Sequence, residues 1–280
     1  MCGLGIFLSS PQGSQNFGLP PRSQGLSWIS IIFVLVGGFL SVGAGNAMNM
    51  YLERNTDRKM FRTRGRPLPR EAFPPIYAFI TSIIACILSF SLLWFYSNSL
   101  TAYLSFASFI LYSFIYTPLK KVTPWSLWIG AIPGAMPPFL GTTAETNSIE
   151  PLGIWLFCLL FIWQIPHFLA ISIKHQADYE RGDIKVFPSF WTESICKWKG
   201  FFCALCLVIL SYFPGFHFFY SHETTLSLFH FGFLIFLSFL NIWYIWNHLP
   251  GNQNWSQKAF FSSLIYLPLF CLLIFIQSFI

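Results

Sequence analysis

Residues 27–48 read SWISIIFVLVGGFLSVGAGNAM, and residues 49–69, directly after, read NMYLERNTDRKMFRTRGRPLP. The first run is uncharged and apolar, and as a helix it is long enough to cross a hydrocarbon core of about 30 Å. The second crowds Glu53 and Asp57 together with Arg54, Arg58, Lys59, Arg62, Arg64 and Arg66. A membrane-length run that emerges into a dense charged segment reads as a helix leaving a bilayer. Seven more apolar runs follow, at 73–97, 99–118, 125–144, 152–173, 198–220, 224–246 and 259–280. The eight runs contain one Lys, Lys199 at a helix start, and no Arg, Asp or Glu.

The composition agrees. Hydrophobic residues make up 55% of the 280, aromatics 20% and charged side chains 9%, against about 25% charged in an average soluble chain. So few charges cannot coat a water-soluble enzyme, and disorder needs the opposite composition. The apolar residues run on without alternating, which fits helices and not an outer-membrane barrel. The expected fold is therefore all-α: a polytopic transmembrane helical bundle, with residues 1–280 forming a single membrane-embedded domain.

The net charge of +6 is sorted by position. Fifteen of the sixteen Lys and Arg fall in 49–72, 119–124, 174–199 and at Lys258, connections that helix counting puts on one side. The intervening loops carry Glu145, Glu150 and Glu223 and no Lys or Arg. The positive-inside rule makes the basic side cytoplasmic. A multi-pass protein of the cytoplasmic (inner) membrane is expected, its active-site loops on the cytoplasmic side, with the bilayer as its partner and nucleic acid not. The first 26 residues fit this scheme less well. MCGLGIFLSS is apolar but too short to span, and it lacks the basic start of a signal peptide. Cys203 and Cys206 have CxxC spacing inside an apolar run with no partner pair, which reads as packing and not as a metal site.

Two segments on the basic side carry more than a connector needs. Asn49, Glu53 and Asp57 are spaced four and four, and each step of four on a helix turns about 40° and rises about 6 Å. They form a stripe of oxygen donors at a membrane surface, with arginines on the next face and Pro67 and Pro69 ending the helix. Carboxylates that hold a hard cation, beside guanidiniums that take the remaining charge, are what a magnesium–diphosphate complex requires. The bland alternative is a solvated helix with acidic–basic pairs that anchors topology. The second segment, residues 163–188, reads WQIPHFLAISIKHQADYERGDIKVFP. Asp178 is its acidic residue nearest the preceding span, with Lys174 one turn earlier as a possible ion-pair partner. Each segment is a span, then acids, then basic residues, then Pro, which reads as a weak parallel duplication offering two metal sites across one diphosphate.

Three further features stand out. His167 follows Pro166 inside a span, where an ionisable group faces a cavity or is a neutral His bonded to a freed carbonyl. Tyr116 to Lys121 (YTPLKK) supplies a hydroxyl and two cations at the same surface. Ile132 to Pro138 (IPGAMPP) is expected to break its span and line a cavity.

At these residues the chain resembles the intramembrane prenyltransferase (UbiA) superfamily, and more closely its haem O synthase branch. The resemblance covers nearly the whole chain. It rests on Asn49-xxx-Glu53-xxx-Asp57 followed by DRKM-x-RT-x-x-RPLP to Pro69, on YTPLKK, on G-x-x-PGAMPPFLG from Gly130 to Gly141, and on WQIPHF with DYERG from Trp163 to Gly182. The resemblance implies a prenyl transferase that uses Mg2+ to ionise farnesyl diphosphate and joins the farnesyl group to a vinyl group of haem B. Farnesyl diphosphate and haem B are then the substrates, and a haem A synthase or oxidase assembly factor would receive the product. Carried over residue by residue, Asn49, Glu53 and Asp57 hold the metal and diphosphate, and Asp178 belongs to a second metal motif. Arg62 and Arg66, with Lys120, Lys121 and Lys174, take the diphosphate charge, and His167 lies near the haem.

The chain departs from the pattern at Lys174, Ala177 and the pair Gly182-Asp183, all in the second motif. The superfamily has nine helices where eight are visible here, so the resemblance implies a first helix upstream of Met1 with Gly3–Ser9 as its tail. Two rival readings remain open. One keeps the chemistry and changes the acceptor to another aromatic or tetrapyrrole ring; the other is a non-catalytic transporter or haem-binding membrane protein.

Overall fold

The computed structural model describes residues 1–10, 25–211 and 255–277, and every regular element among them is helical. Helix α1 spans Cys2–Ser9, α2 Trp28–Lys59, α3 Pro75–Tyr96, α4 Ser99–Leu119, α5 Ser126–Thr146, α6 Pro151–Lys174, α7 Gln176–Arg181, α8 Glu193–Ser211 and α9 Trp255–Gln277. Five of them (α2, α3, α4, α6 and α8) are long and apolar enough to cross a membrane. Helices α5 and α9 have comparable length, at 21 and 23 residues. The expected span 224–246 lies outside the described residues. Large apolar side chains such as Ile29, Phe39, Ile87, Phe95 and Phe202 face outward, as a surface solvated by lipid tails requires. The chain is a multi-pass integral membrane protein.

Helix α2 does not stop where its apolar run stops. Ser27 caps its start by accepting from the Ser30 N–H at 3.1 Å, and it continues unbroken to Lys59. Its 32 residues make about 48 Å of helix at 1.5 Å per residue, well beyond a core of about 30 Å. The overhang carries the Asn49–Asp57 stripe. Small residues and hydroxyls let α2 and α3 approach closely. Ser82 Oγ and Ser89 Oγ donate to the Ala44 and Gly37 carbonyls, each at 2.7 Å.

One side chain caps two helices. Asn98 Oδ1 accepts from the Thr101 N–H at the start of α4, while its Nδ2 donates to the Thr143 and Ala144 carbonyls at the end of α5. Within α4, residues Leu111–Tyr116 widen into a π-helical turn, and Tyr112 and Tyr116 stack with ring centres 5.5 Å apart.

The expected break at Ile132–Pro138 does not occur. Helix α5 runs straight through Pro133, Pro137 and Pro138. Neighbouring helices can stabilise a proline-bearing helix inside a membrane, and here the Gln164 side chain of α6 adds a bond to the Ala131 carbonyl, two residues before Pro133, at 3.2 Å. The stretch still lines a cavity, as described below.

Residues Cys2–Ser9 are a helix seated in the bundle. Leu8 packs with Trp155, Leu156, Leu159 and Phe270. Two glycines permit this approach: a Cβ on Gly5 would lie 2.2 Å from the Pro138 carbonyl oxygen, and one on Gly141 would lie 2.2 Å from that of Cys2. Both obstacles are backbone and cannot turn aside. Gly141→Ala is therefore expected to destabilise the protein by about 1–3 kcal/mol, read as a lower thermal midpoint in detergent. An unchanged midpoint would show that α1 does not dock here.

Candidate active site

The protruding end of α2 brings the oxygen stripe together in a buried position. Asn49, Glu53 and Asp57 are 7%, 2% and 1% exposed. Carboxylates buried to that extent need cations or hydrogen bonds, and each has found one. Glu53 Oε2 accepts from Lys120 Nζ at 2.6 Å and from Asn49 Nδ2 at 3.0 Å. Asn49 Nδ2 also reaches Thr117 Oγ1 at 3.1 Å. Asp57 Oδ2 accepts from an Arg66 guanidinium nitrogen at 2.8 Å. That contact exists because the chain doubles back after Met60. The N–H groups of Thr63 and Arg64 donate to the Met60 carbonyl, and Thr63 Oγ1 donates to the Asp57 carbonyl.

These groups line a cavity of about 340 Å³, together with Arg62, Tyr112, Tyr116, Tyr179 and Lys185. A second cavity of about 350 Å³ adjoins it, and Tyr112, Tyr116, Leu127 and Phe168 belong to both walls. Its remaining walls are mostly apolar or small, among them Val42, Phe109, Gly130, Pro133 and Pro137, with Gln164 and Asn46 as polar members. A charged chamber thus adjoins a hydrophobic one of similar size inside the bundle.

Glu53 Oε1 is buried with no hydrogen-bond partner, an uncommon state for a carboxylate oxygen and one that a cation would relieve. No group of three or more His, Cys, Asp and Glu able to cage a metal occurs among the described residues. A cation here would take only part of its oxygen shell from Asn49, Glu53 and Asp57. Magnesium in phosphate-transfer sites is held that way, by one or two carboxylates plus substrate phosphates and water.

Asp178 occupies a different position. It lies on α7, set off from α6 at His175, where the backbone leaves the helical region with φ −116° and ψ 23°. Its two oxygens accept from the Phe61 N–H at 2.8 Å and the Arg62 N–H at 2.9 Å, and Arg181 adds a contact at 3.1 Å. It pairs with Arg181, not with Lys174. In this position Asp178 clamps the turn that carries Arg62 and Arg66, and a cation bound there would share its carboxylate with those N–H donors. Burial opposes its ionisation, but the Arg62 and Phe61 N–H groups and the Arg181 guanidinium outweigh it and hold the carboxyl below its ordinary value of 3.8.

A depressed carboxyl contributes stability above its unfolded value that is lost as pH falls through the folded one. Acidification from about pH 7 to about pH 5 should therefore leave the turn attached. Asp178→Ala should speed hydrogen exchange at the Phe61 and Arg62 amides about tenfold. Equal protection in the variant would remove the clamp from the account.

The other expected residues divide. Arg62, Arg66 and Lys120 line the charged chamber, whereas Lys121 and Lys174 do not, Lys174 standing exposed at the end of α6. His167 faces α9 and lines neither cavity. Its Nδ1 bonds Ser263 Oγ at 2.8 Å, and its ring stacks between Trp163 and Phe260. Tyr112, Gln164 and Lys185 also line the chambers, although no sequence signal assigned them a role. The Lys185 N–H donates to the Lys120 carbonyl at 2.8 Å and ties the two basic turns together. Tyr112 lies four residues before Tyr116, a spacing that could have pointed to it.

The UbiA prenyltransferase family matches residues 22–265. A protoheme IX farnesyltransferase from Sorangium cellulosum is 42% identical over 65% of this chain and 62% of its own length. One from Cytophaga hutchinsonii is 36% identical over 90% of this chain and 86% of its own length. Other curated relatives of that name are matched over about half of their length. Among solved structures, a UbiA homolog from Archaeoglobus fulgidus bound to GPP and Mg2+ superposes with a TM-score of 0.65 at 16% identity, covering all of this chain and 97% of that one.

Proposed function

The chain belongs to the UbiA prenyltransferase family, and on that premise we propose that it transfers farnesyl from farnesyl diphosphate to a vinyl carbon of haem B, giving the hydroxyethylfarnesyl side chain of haem O, with magnesium as cofactor. The observation that carries this reading is the pair of adjoining chambers. In one, two buried carboxylates and four cations surround a space fit for a diphosphate; the other is fit for an isoprenoid and a flat ring. The name shared by curated relatives at 34–44% identity supports the acceptor.

Asn49, Glu53 and Asp57 would hold the magnesium ion, which when bound neutralises charge on the diphosphate oxygens. Arg62, Arg66 and Lys120 take the rest of that charge as the bond from the farnesyl carbon to oxygen breaks. Lys120 and Arg66 already neutralise Glu53 and Asp57, so the chamber tolerates buried carboxylates before substrate arrives. Asp178 acts through the Arg62 turn. Lys121 and Lys174 add positive potential outside the chamber, and His167 supports the wall formed by α6. Tyr112 and Tyr116 stand where the allylic carbon would pass from one chamber to the other, and their faces suit a passing cation. The site opens to the cytoplasm, by the placement of the basic connections, and the product passes to an enzyme of haem A formation or oxidase assembly.

The test offers purified protein farnesyl diphosphate and magnesium with equal amounts of haem B and an aromatic acid acceptor. Consumption of haem B to a heavier, more hydrophobic haem supports the reading. Turnover of the aromatic acid alone would replace the acceptor, and no prenyl transfer to either would remove the reading.

A further inference from the structure

Gln164 is the one residue of α6 that brings a side-chain amide into the apolar chamber, and it is 5% exposed. Its Nε2 donates to two backbone carbonyls, Leu160 at 3.0 Å and Ala131 at 3.2 Å. A primary amide has two N–H donors, so both are spent and the orientation of the group is fixed. Oε1 must point the other way. It points at Gly134, where a Cβ would lie 2.0 Å from it; the absent side chain leaves that oxygen its space. The result is an acceptor held in one orientation by its own amide N–H bonds, in a chamber otherwise walled by apolar groups, glycines, hydroxyls and Asn46.

Farnesyl transfer to a vinyl group needs something that most aromatic prenylations do not. The vinyl π-bond closes a carbon–carbon bond to farnesyl and leaves a cation on the carbon next to the porphyrin ring. To give a hydroxyethyl side chain, one water must add there. Otherwise that cation loses a proton from the adjacent CH2 and becomes an alkene. We propose that Gln164 orients this water, its Oε1 accepting one O–H so that the oxygen lone pair faces the cation. The new carbon–oxygen bond takes both electrons from water, and the released proton goes to the diphosphate set free in the first step. Gln164 is not a base; it selects addition over elimination.

The proposal rests on the haem reading of the site, and its test separates the two. With wild-type protein, farnesyl diphosphate, magnesium and haem B, the account expects hydroxylated product; its absence would defeat the haem reading itself. Given that product, Gln164→Leu should keep diphosphate release while raising the ratio of dehydrated to hydroxylated farnesyl haem about tenfold, the scale of one lost hydrogen bond. Gln164→Glu, which keeps an acceptor oxygen, should move that ratio back toward wild type. Gln164→Met reads the same ratio where the leucine variant fails to accumulate. A wild-type product ratio in both apolar variants overturns the role. So does loss of diphosphate release along with product, because a group that acts only after ionisation cannot cause it.

Discussion

Asp57→Asn is expected to cut prenyl transfer at least about a hundredfold while leaving the protein folded in the membrane. The substitution keeps shape and removes one charge at the centre of the charged chamber. Asp57 is 1% exposed and bonded to Arg66, so a structural penalty has to be considered. Arg66, however, is 37% exposed and can turn to water when its partner is neutral. Asn still has an oxygen to accept that guanidinium. What it cannot do is hold a hard cation as a carboxylate does. The check is turnover per mole of purified protein beside its thermal midpoint. Unchanged turnover would remove Asp57 from the chemistry, and turnover lost only in step with unfolding would make its role structural.

Lys120→Met should strike both stability and activity. Glu53 is 3% exposed at its side chain and Lys120 only 14%, with 2.6 Å between their charged atoms. Taking away one partner of a buried pair leaves the other charge uncompensated, at about 3–5 kcal/mol. Glu53 is already poorly provided for, since Oε1 has no partner. Adding Glu53→Gln to Lys120→Met should therefore restore much of the thermal midpoint and none of the turnover. That divergence separates a site residue from a scaffold residue. A double variant as unstable as the single one would mean that the pair is not coupled as the geometry shows.

Much of this was legible in the sequence, for reasons that differ by element. The spans follow from uninterrupted apolar length, and α2, α3, α4, α5 and α6 lie where that length put them. The stripe of Asn49, Glu53 and Asp57 follows from helical periodicity, provided the helix outlasts the membrane, and it does by several turns. Pairing was not legible. Nothing in the spacing says that Lys120 meets Glu53 across 67 positions, or that Arg66 returns to Asp57 through a turn. The likeness between the two acidic segments was also a poor guide to their surroundings: a break at His175 sets Asp178 on a separate short helix, where it meets the backbone of Phe61 and Arg62.

Proline misled in the same way. Its cost inside a helix depends on whether neighbours take the carbonyls it frees, which is a property of packing, and α5 stays continuous through three of them. His167 was singled out as an ionisable group in a span, yet its immediate partners are a serine and three aromatic rings, and it lines neither chamber itself. Gln164, three positions earlier and uncharged, stood in a quoted motif without a role, because the direction of an amide oxygen is set by contacts that sequence does not show.

The most direct measurement of the central claim, that the Asn49–Asp57 stripe holds a diphosphate through a divalent cation, is calorimetric binding of a farnesyl diphosphate analogue that cannot ionise. Wild-type protein should bind it tightly in magnesium, and binding should be lost in chelator or in Asp57→Asn. Equal affinity with and without magnesium would contradict the claim.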